Sequence, residues 1–278
     1  MTAEPLGHAA AGEPASPAAS APPAASASAA ASASAALPPT VDVVPVVPGL
    51  HMLRFPIGQA YVWRDDDRGG GPASLTLLDA GWAGAEEVLV RALRGIGGPG
   101  ARLRRIVLTH AHRDHVGAAG ALAARYGCEV LAHRLDAPVV RGEEPVPEPD
   151  LTEWEVPLYE RGIATVPEAP PTRVDREVED GDVLDFGGGA RVVHIPGHTP
   201  GSIAVHLPRH GVLVTGDTVA SVGGVAFGVL HVDRAAAVES MRRLSRLEPL
   251  RVVCFGHGDP LTADAAAVLR AAAEAARA

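Results

Sequence analysis

Four side chains of the kinds that bind metal ions stand within six residues of one another. They are His110, His112, Asp114 and His115, in the run Thr109-His110-Ala111-His112-Arg113-Asp114-His115-Val116-Gly117, directly after the apolar stretch Ile106-Val107-Leu108. In extended backbone, residues two apart point the same way, so His110 and His112 can reach one ion. Asp114 and His115 fall where a helix begins and can turn toward a second ion. Packing explains so dense a run poorly, and the chain must therefore fold so that a buried strand ends in a polar cluster.

Three later segments share a design in which a buried-looking strand runs into a glycine-flanked turn carrying one ligand-type residue. Residues 191–195 lead into Pro196-Gly197-His198-Thr199-Pro200-Gly201, residues 212–215 into Gly216-Asp217, and residues 252–255 into Gly256-His257-Gly258. Each alone reads as an ordinary turn residue. Ligands at strand ends converge where open α/β sheets bind their ligands, so in this order after the cluster the three support one another.

Around these motifs, short β-branched runs alternate with Gly or Pro turns and with Ala-, Leu- and Arg-rich helical stretches, which is an α/β pattern. Strands are expected at 75–78, 106–108, 130–132, 191–195, 203–207, 212–215 and 252–255. Helices are expected at 85–93, 114–126, 235–247 and 263–277, with Asp233 and Thr262 placed to cap the last two. Residues 1–40 are nearly all Ala, Ser and Pro and read as a disordered tail, leaving 41–278 as one folded domain. The tail lacks the basic start and apolar stretch of a secretory signal. Residues 141–173 are rich in Pro and Glu and lose apolar periodicity, which marks an insertion or lid, either one that shapes substrate access or a surface excursion without a substrate role.

No run of about 18 apolar residues suggests a membrane span. The net charge of −9, with all 24 basic residues Arg, argues against nucleic acid as a partner. Cys128 and Cys254 lack the spacing of a metal knuckle or redox pair and read as free buried thiols of a cytoplasmic protein. His51, His133, His194, His206 and His210 lack the strand-end setting and read as core-edge or surface residues. His231 lies in a loop after Asp217 that borders the expected pocket. Phe227, Trp82, Trp154 and Tyr159 either line it or serve as packing residues, and Arg113 points either to solvent or to substrate.

Taken together, these motifs resemble the metallo-β-lactamase superfamily, in particular its glyoxalase II-like and lactonase-like hydrolases, over roughly residues 48–257. The resemblance implies a four-layered αββα sandwich with two mixed β-sheets. It implies that His110, His112 and His198 bind one divalent ion, that Asp114, His115 and His257 bind a second, and that Asp217 bridges both. Zinc suits that donor set, with iron and manganese as alternatives. Asp79, in Leu77-Leu78-Asp79-Ala80-Gly81, would brace the ligands from behind.

The implied chemistry is attack of a metal-bridging hydroxide on an ester, thioester or lactone of a small molecule, with Asp114 accepting the proton as the intermediate collapses. A cysteine normally stands at the Asp217 position in the commonest dizinc β-lactamases, so β-lactams are not the expected substrates. Only one predicted helix follows His257, where glyoxalase II enzymes carry a glutathione-binding helical domain, and no residue matches the substrate-orienting tyrosine of lactonases. A second reading is an iron-dependent oxidoreductase on the same fold, like persulfide dioxygenases. Family analogy also implies a homodimer.

Overall fold

The computed structural model describes residues 40–66 and 72–277. The expected disordered tail, apart from Thr40, lies outside the described residues.

The first sheet contains β1 (Asp42–Val47), β2 (Leu50–Arg54), β3 (Gln59–Asp65), β4 (Ser74–Leu78), β5 (Arg102–Val107), β6 (Glu129–His133) and β7 (Arg176–Val178), hydrogen-bonded in that order. Its first three pairings are antiparallel and its last three parallel. The second sheet is built from β8 (Val183–Leu184), β9 (Ala190–His194), β10 (Ile203–Leu207) and β11 (Val212–Val214). After a short hairpin of β12 (Val219–Ala220) and β13 (Ala226–Phe227), it is completed by β14 (Val252–Cys254). Its order is β14-β11-β10-β9-β8, with only β14 and β11 parallel. Both sheets are mixed.

Side-chain alternation along the strands accounts for the layering, because residues two apart share a face. On β10 and β11, Ile203, Val205, Leu207, Val212 and Val214 enter one apolar core with Tyr61, Leu78, Val107 and Leu131 of the first sheet. That core lies between the sheets. Ala204 and Leu213 face the other way, into a core with Val238, Met241, Leu244 and Leu269. These last four belong to α6 (Arg234–Leu244) and α7 (Ala265–Ala275). On the far side, Leu75, Leu77, Leu103 and Ile106 pack against Leu89, Leu93 and Leu122. Those residues lie on α1 (Glu86–Gly97) and α3 (Ala119–Tyr126), and the result is a helix, sheet, sheet, helix sandwich.

Several elements differ from the sequence expectations. The helix expected over 114–126 is divided into α2 (Arg113–Val116) and α3. The carbonyl of His115 accepts from Ala80 N at 2.6 Å, which removes it from the helical ladder and leaves the first turn holding the ligands separate. Asp233 caps α6 by accepting from Ala236 N, as expected. Thr262 does not cap α7, which begins only at Ala265, because Leu261 is held extended by two backbone bonds to Val253. Strands β1 to β3, with no ligand motif to mark them, were not among the expected elements.

Segment 141–173 contains a helix, α5 (Val156–Thr165), preceded by the short α4 (Ala137–Val140). No residue of α5 is buried, and Trp154 just before it is 61% exposed. Neither Trp154 nor Tyr159 joins a core, whereas Trp82 is a core residue donating to Ile57 O at 2.7 Å.

Candidate metal centre

Five strand ends supply the site. Asp79 follows β4, the His110 to His115 run follows β5, His198 follows β9, Asp217 follows β11 and His257 follows β14. The ligand-type atoms of His110, His112 and His198 lie within 4.8 Å of one another, and so do those of Asp114, His115, Asp217 and His257. All seven residues singled out from the sequence are thus brought together in two adjoining groups. Asp217 stands between them: its Oδ1 is 3.4 Å from His115 Nε2, and its Oδ2 is 3.1 Å from His257 Nε2, 3.7 Å from His198 Nε2 and 3.9 Å from His110 Nε2.

Hydrogen bonds behind the rings decide which nitrogen faces inward. Thr109 Oγ1 donates to Asp79 Oδ2 at 2.8 Å, so His110 Nδ1 must be the donor in its 3.0 Å contact with Thr109 Oγ1. His115 Nδ1 donates to Asp79 Oδ2 at 2.9 Å, and His198 Nδ1 donates to the carbonyl of Val229 at 3.1 Å. Each ring is left presenting Nε2 to the centre. His112 presents Nδ1, which is 2.9 Å from His198 Nε2. His110 Nε2, His115 Nε2 and Asp217 Oδ1 are buried without a hydrogen-bond partner among the described residues. Buried polar atoms are seldom left so, and a cation between them is the partner this donor set fits.

Electrostatics separate the two groups. Burial and the neighbouring imidazoles hold His110 and His198 well below the usual histidine pKa, and burial also lowers His112, so the first group is electrically neutral. In the second group burial again disfavours charge on His115, but the carboxylates of Asp217, Asp114 and Asp79 outweigh it and hold the ring well above its ordinary value. His257 is likewise lifted, to about 10, chiefly by Asp217 against the effect of burial. Asp114 and Asp217 stay ionised, because their histidine neighbours overcome the burial that would protonate them.

Gly256 allows the groups to close. A Cβ there would lie 1.7 Å from Asp217 Oδ1 and 3.0 Å from His115 Cε1, while Gly256 N donates to Gly216 O at 2.9 Å and ties the two ligand turns together. Gly256→Ala must push Asp217 aside. A displacement near 1 Å is expected to lower kcat/KM about 10²-fold and to reduce metal content, both measurable on the purified variant. Wild-type values for both would contradict this placement of Asp217.

Several further residues support the site, and Tyr61 and Gln59 among them carried no motif. Tyr61 and Gln59 on β3 hold the backbone beside His257: Tyr61 OH donates to Phe255 O at 2.8 Å and accepts from Phe255 N at 3.1 Å. Gln59 Nε2 donates to Phe255 O and Gly258 O. Asp79 holds a left-handed conformation, φ 61°, that aims its carboxylate at Thr109 and His115. His231 is fully buried with its ring 5.4 Å from that of His198, and Phe227 stacks on it at 4.2 Å. Among the other histidines, His133 and His194 stack on each other and His210 lies against Trp63.

The 141–173 excursion is fastened to the rim. Glu155, 0% exposed, accepts from Thr152 N and Oγ1, from Leu230 N at 3.0 Å and from Arg234 Nη1. Asp150 N donates to His231 O at 2.8 Å, and Arg113 pairs with Glu168 at 2.7 Å rather than pointing free. Burial alone would raise the pKa of Glu155, but the Thr152, Leu230 and Arg234 donors bring it down to about 2. A carboxylate lowered in the folded state stabilises it fully above its ordinary value near 4.5, and that contribution disappears as pH falls through the folded value. Hydrogen exchange, corrected for intrinsic rates, is therefore expected to show residues 150–166 opening between pH 4.5 and 2. Glu155→Gln is expected to raise their exchange about tenfold or more already at neutral pH. Equal protection in wild type and variant would remove Glu155 as the fastener.

A four-layered sandwich with a histidine and aspartate centre at its strand ends defines a class of metal-centred α/β proteins. The chain belongs to the metallo-beta-lactamase superfamily, whose family model matches residues 60–257. It is 30% identical to the Bacillus subtilis protein named "Probable metallo-hydrolase YflN", over 77% of this chain and 85% of that one. It is also 30% identical to a hydroxyacylglutathione hydrolase of Cereibacter sphaeroides, over 75% of this chain but only 66% of that enzyme's length. Among solved structures, a beta-lactamase domain protein from Burkholderia ambifaria shares the fold, with TM-score 0.60 and 24% identity over 85% of this chain and 72% of that one. At the level of class the chain is a metal-dependent hydrolase. No helix among the described residues is long and apolar enough to cross a membrane.

Proposed function

We propose that the chain hydrolyses the ester, thioester or lactone bond of a small molecule with two divalent ions, zinc in the first instance. His110, His112 and His198 would hold one ion, Asp114, His115 and His257 the other, and Asp217 both. The observation that carries this reading is the set of inward-facing imidazole nitrogens whose protons are fixed on the opposite side of each ring by Thr109, Asp79 and Val229. Divalent ions held there would bring the pKa of water from about 15.7 toward about 7 and polarise a carbonyl oxygen.

The remaining work falls to the chain itself. Asp114 Oδ2 lies 3.3 Å from His257 Nε2 and 3.4 Å from His115 Nε2 and stays ionised, so it can take up the proton of the added hydroxyl group as the intermediate collapses and pass it to the departing alkoxide or thiolate. A cysteine nucleophile has no support: Cys128 and Cys254 are buried, and burial pushes the Cys128 thiol up to about 11 and Cys254 higher still. His257 is 29% exposed while His110, His115 and His198 are nearly sealed, which favours approach of substrate from the His257 side. The 141–173 segment, clasped to the loop carrying His231, would form the adjoining wall and select the substrate.

Activity should be screened on an ester, a thioester and a lactone with protein of measured metal content, using His112→Ala as the control. Hydrolysis of one class, proportional to metal content and absent in His112→Ala, is the expected result. A fully loaded protein inert toward all three classes, or an active His112→Ala variant, would refute the proposal. Oxygen consumption by an iron-loaded sample in the same screen would favour the oxidoreductase reading instead.

A further inference from the structure

We propose that Asp136 is a positioning residue for the three-histidine group, the carboxylate that sets the His112 to His198 spacing by joining the two loops that carry these rings. The proposal rests on the reading of that group as a metal site.

Asp136 is 2% exposed and follows β6, a strand that contributes no ligand. Its Oδ2 accepts from Ala111 N at 2.9 Å and from Thr199 Oγ1 at 2.7 Å, and its Oδ1 accepts from Gly201 N at 2.7 Å. Ala111 lies between His110 and His112, and Thr199 follows His198. One carboxylate therefore grips both ligand-bearing loops, where His198 Nε2 and His112 Nδ1 stand 2.9 Å apart.

Two further observations point the same way. Asp136 occupies the N-cap position of α4, where an aspartate ordinarily accepts from the helix's own first turn, yet its side chain makes no cap bond and turns toward the ligand loops instead. At Gly201 a Cβ would lie 2.5 Å from Asp136 Oδ1, so the turn after His198 is shaped to receive this carboxylate. The arrangement parallels Asp79, which grips Thr109 and His115 on the other side of the centre.

All three partners donate, so Asp136 must accept on both oxygens. Asp136→Asn keeps the shape but turns an NH₂ toward an N–H or O–H donor, forcing at least one loop away. Thr199→Val removes one arm, and Thr199→Ser restores it.

The test is zinc titration of metal-free wild type and variants against a chromophoric chelator, with melting temperatures of the metal-free proteins in parallel. The expected result is two zinc ions in wild type, with one of the two binding steps weakened about 10- to 100-fold in Asp136→Asn and Thr199→Val. Thr199→Ser should bind as wild type does. If Asp136→Asn fails to fold, the Thr199 pair decides the matter. Wild-type zinc affinities in the variants that fold, or equal weakening of both steps alongside a lowered melting temperature, would overturn the proposal by leaving Asp136 a general structural residue. Failure of wild type itself to bind two zinc ions would instead defeat the reading of the site.

Discussion

Replacing Asp217 with alanine is expected to lower kcat/KM by roughly 10⁴-fold or more, the scale seen when a group acting as part of a catalytic unit is removed. The expectation follows from its position. Its two oxygens reach both groups, Oδ1 approaching His115 and Oδ2 approaching His257, His198 and His110. Asp217→Asn keeps the volume and loses the charge, so it should fall nearly as far. Alanine also removes the 3.1 Å contact of Oδ2 with His257 Nε2, so folding is followed alongside activity. Circular dichroism, kcat/KM and the metal-to-protein ratio together test this, and activity above a tenth of wild type in either variant would be incompatible with a central role.

Chelation should have the second large effect, on stability as well as on turnover. With free metal about 1,000-fold above its dissociation constant, ligation of one ion by the folded state adds about 4.1 kcal/mol. For a domain of this size that corresponds to a melting temperature roughly 8–16 °C higher in the loaded protein. Metal binding is opposed at the same place, because Asp217 and Asp114 favour the protonated forms of His115 and His257 and a cation must displace those protons. Metal binding should therefore release protons and weaken as pH falls. A thermal scan with and without chelator, followed by zinc replacement and an activity assay, checks both effects. An unchanged melting temperature with undiminished hydrolysis in metal-free protein would exclude the metal-centred mechanism.

The seven candidate ligands were legible because few residue types bind cations, because four of them crowd into six residues after one strand, and because the other three stand beside glycine at strand ends. Strand β10 was expected over its full span of Ile203–Leu207, since its alternation between two cores is written in consecutive residues. Asp136 left no such mark. Its partners lie 25, 63 and 65 residues away, and only its place just past a strand end, shared with Asp79, could have drawn notice. Glu155 was hidden for the same reason, with partners at Leu230 and Arg234, inside a stretch whose composition suggested only an irregular excursion.

What the chain determined by itself was the chemistry: which side chains can meet a cation, which strand ends they terminate, and which residues alternate into a core. Those depend on residue type and on periods of two to four residues. The tertiary structure decided the inward-facing nitrogen of each ring, the gap that Gly256 leaves for Asp217, and the break between α2 and α3. It also decided the joining of the His112 and His198 loops through one buried carboxylate. Each depends on a hydrogen bond or close approach between segments distant along the chain, and such contacts exist only once both sheets have packed.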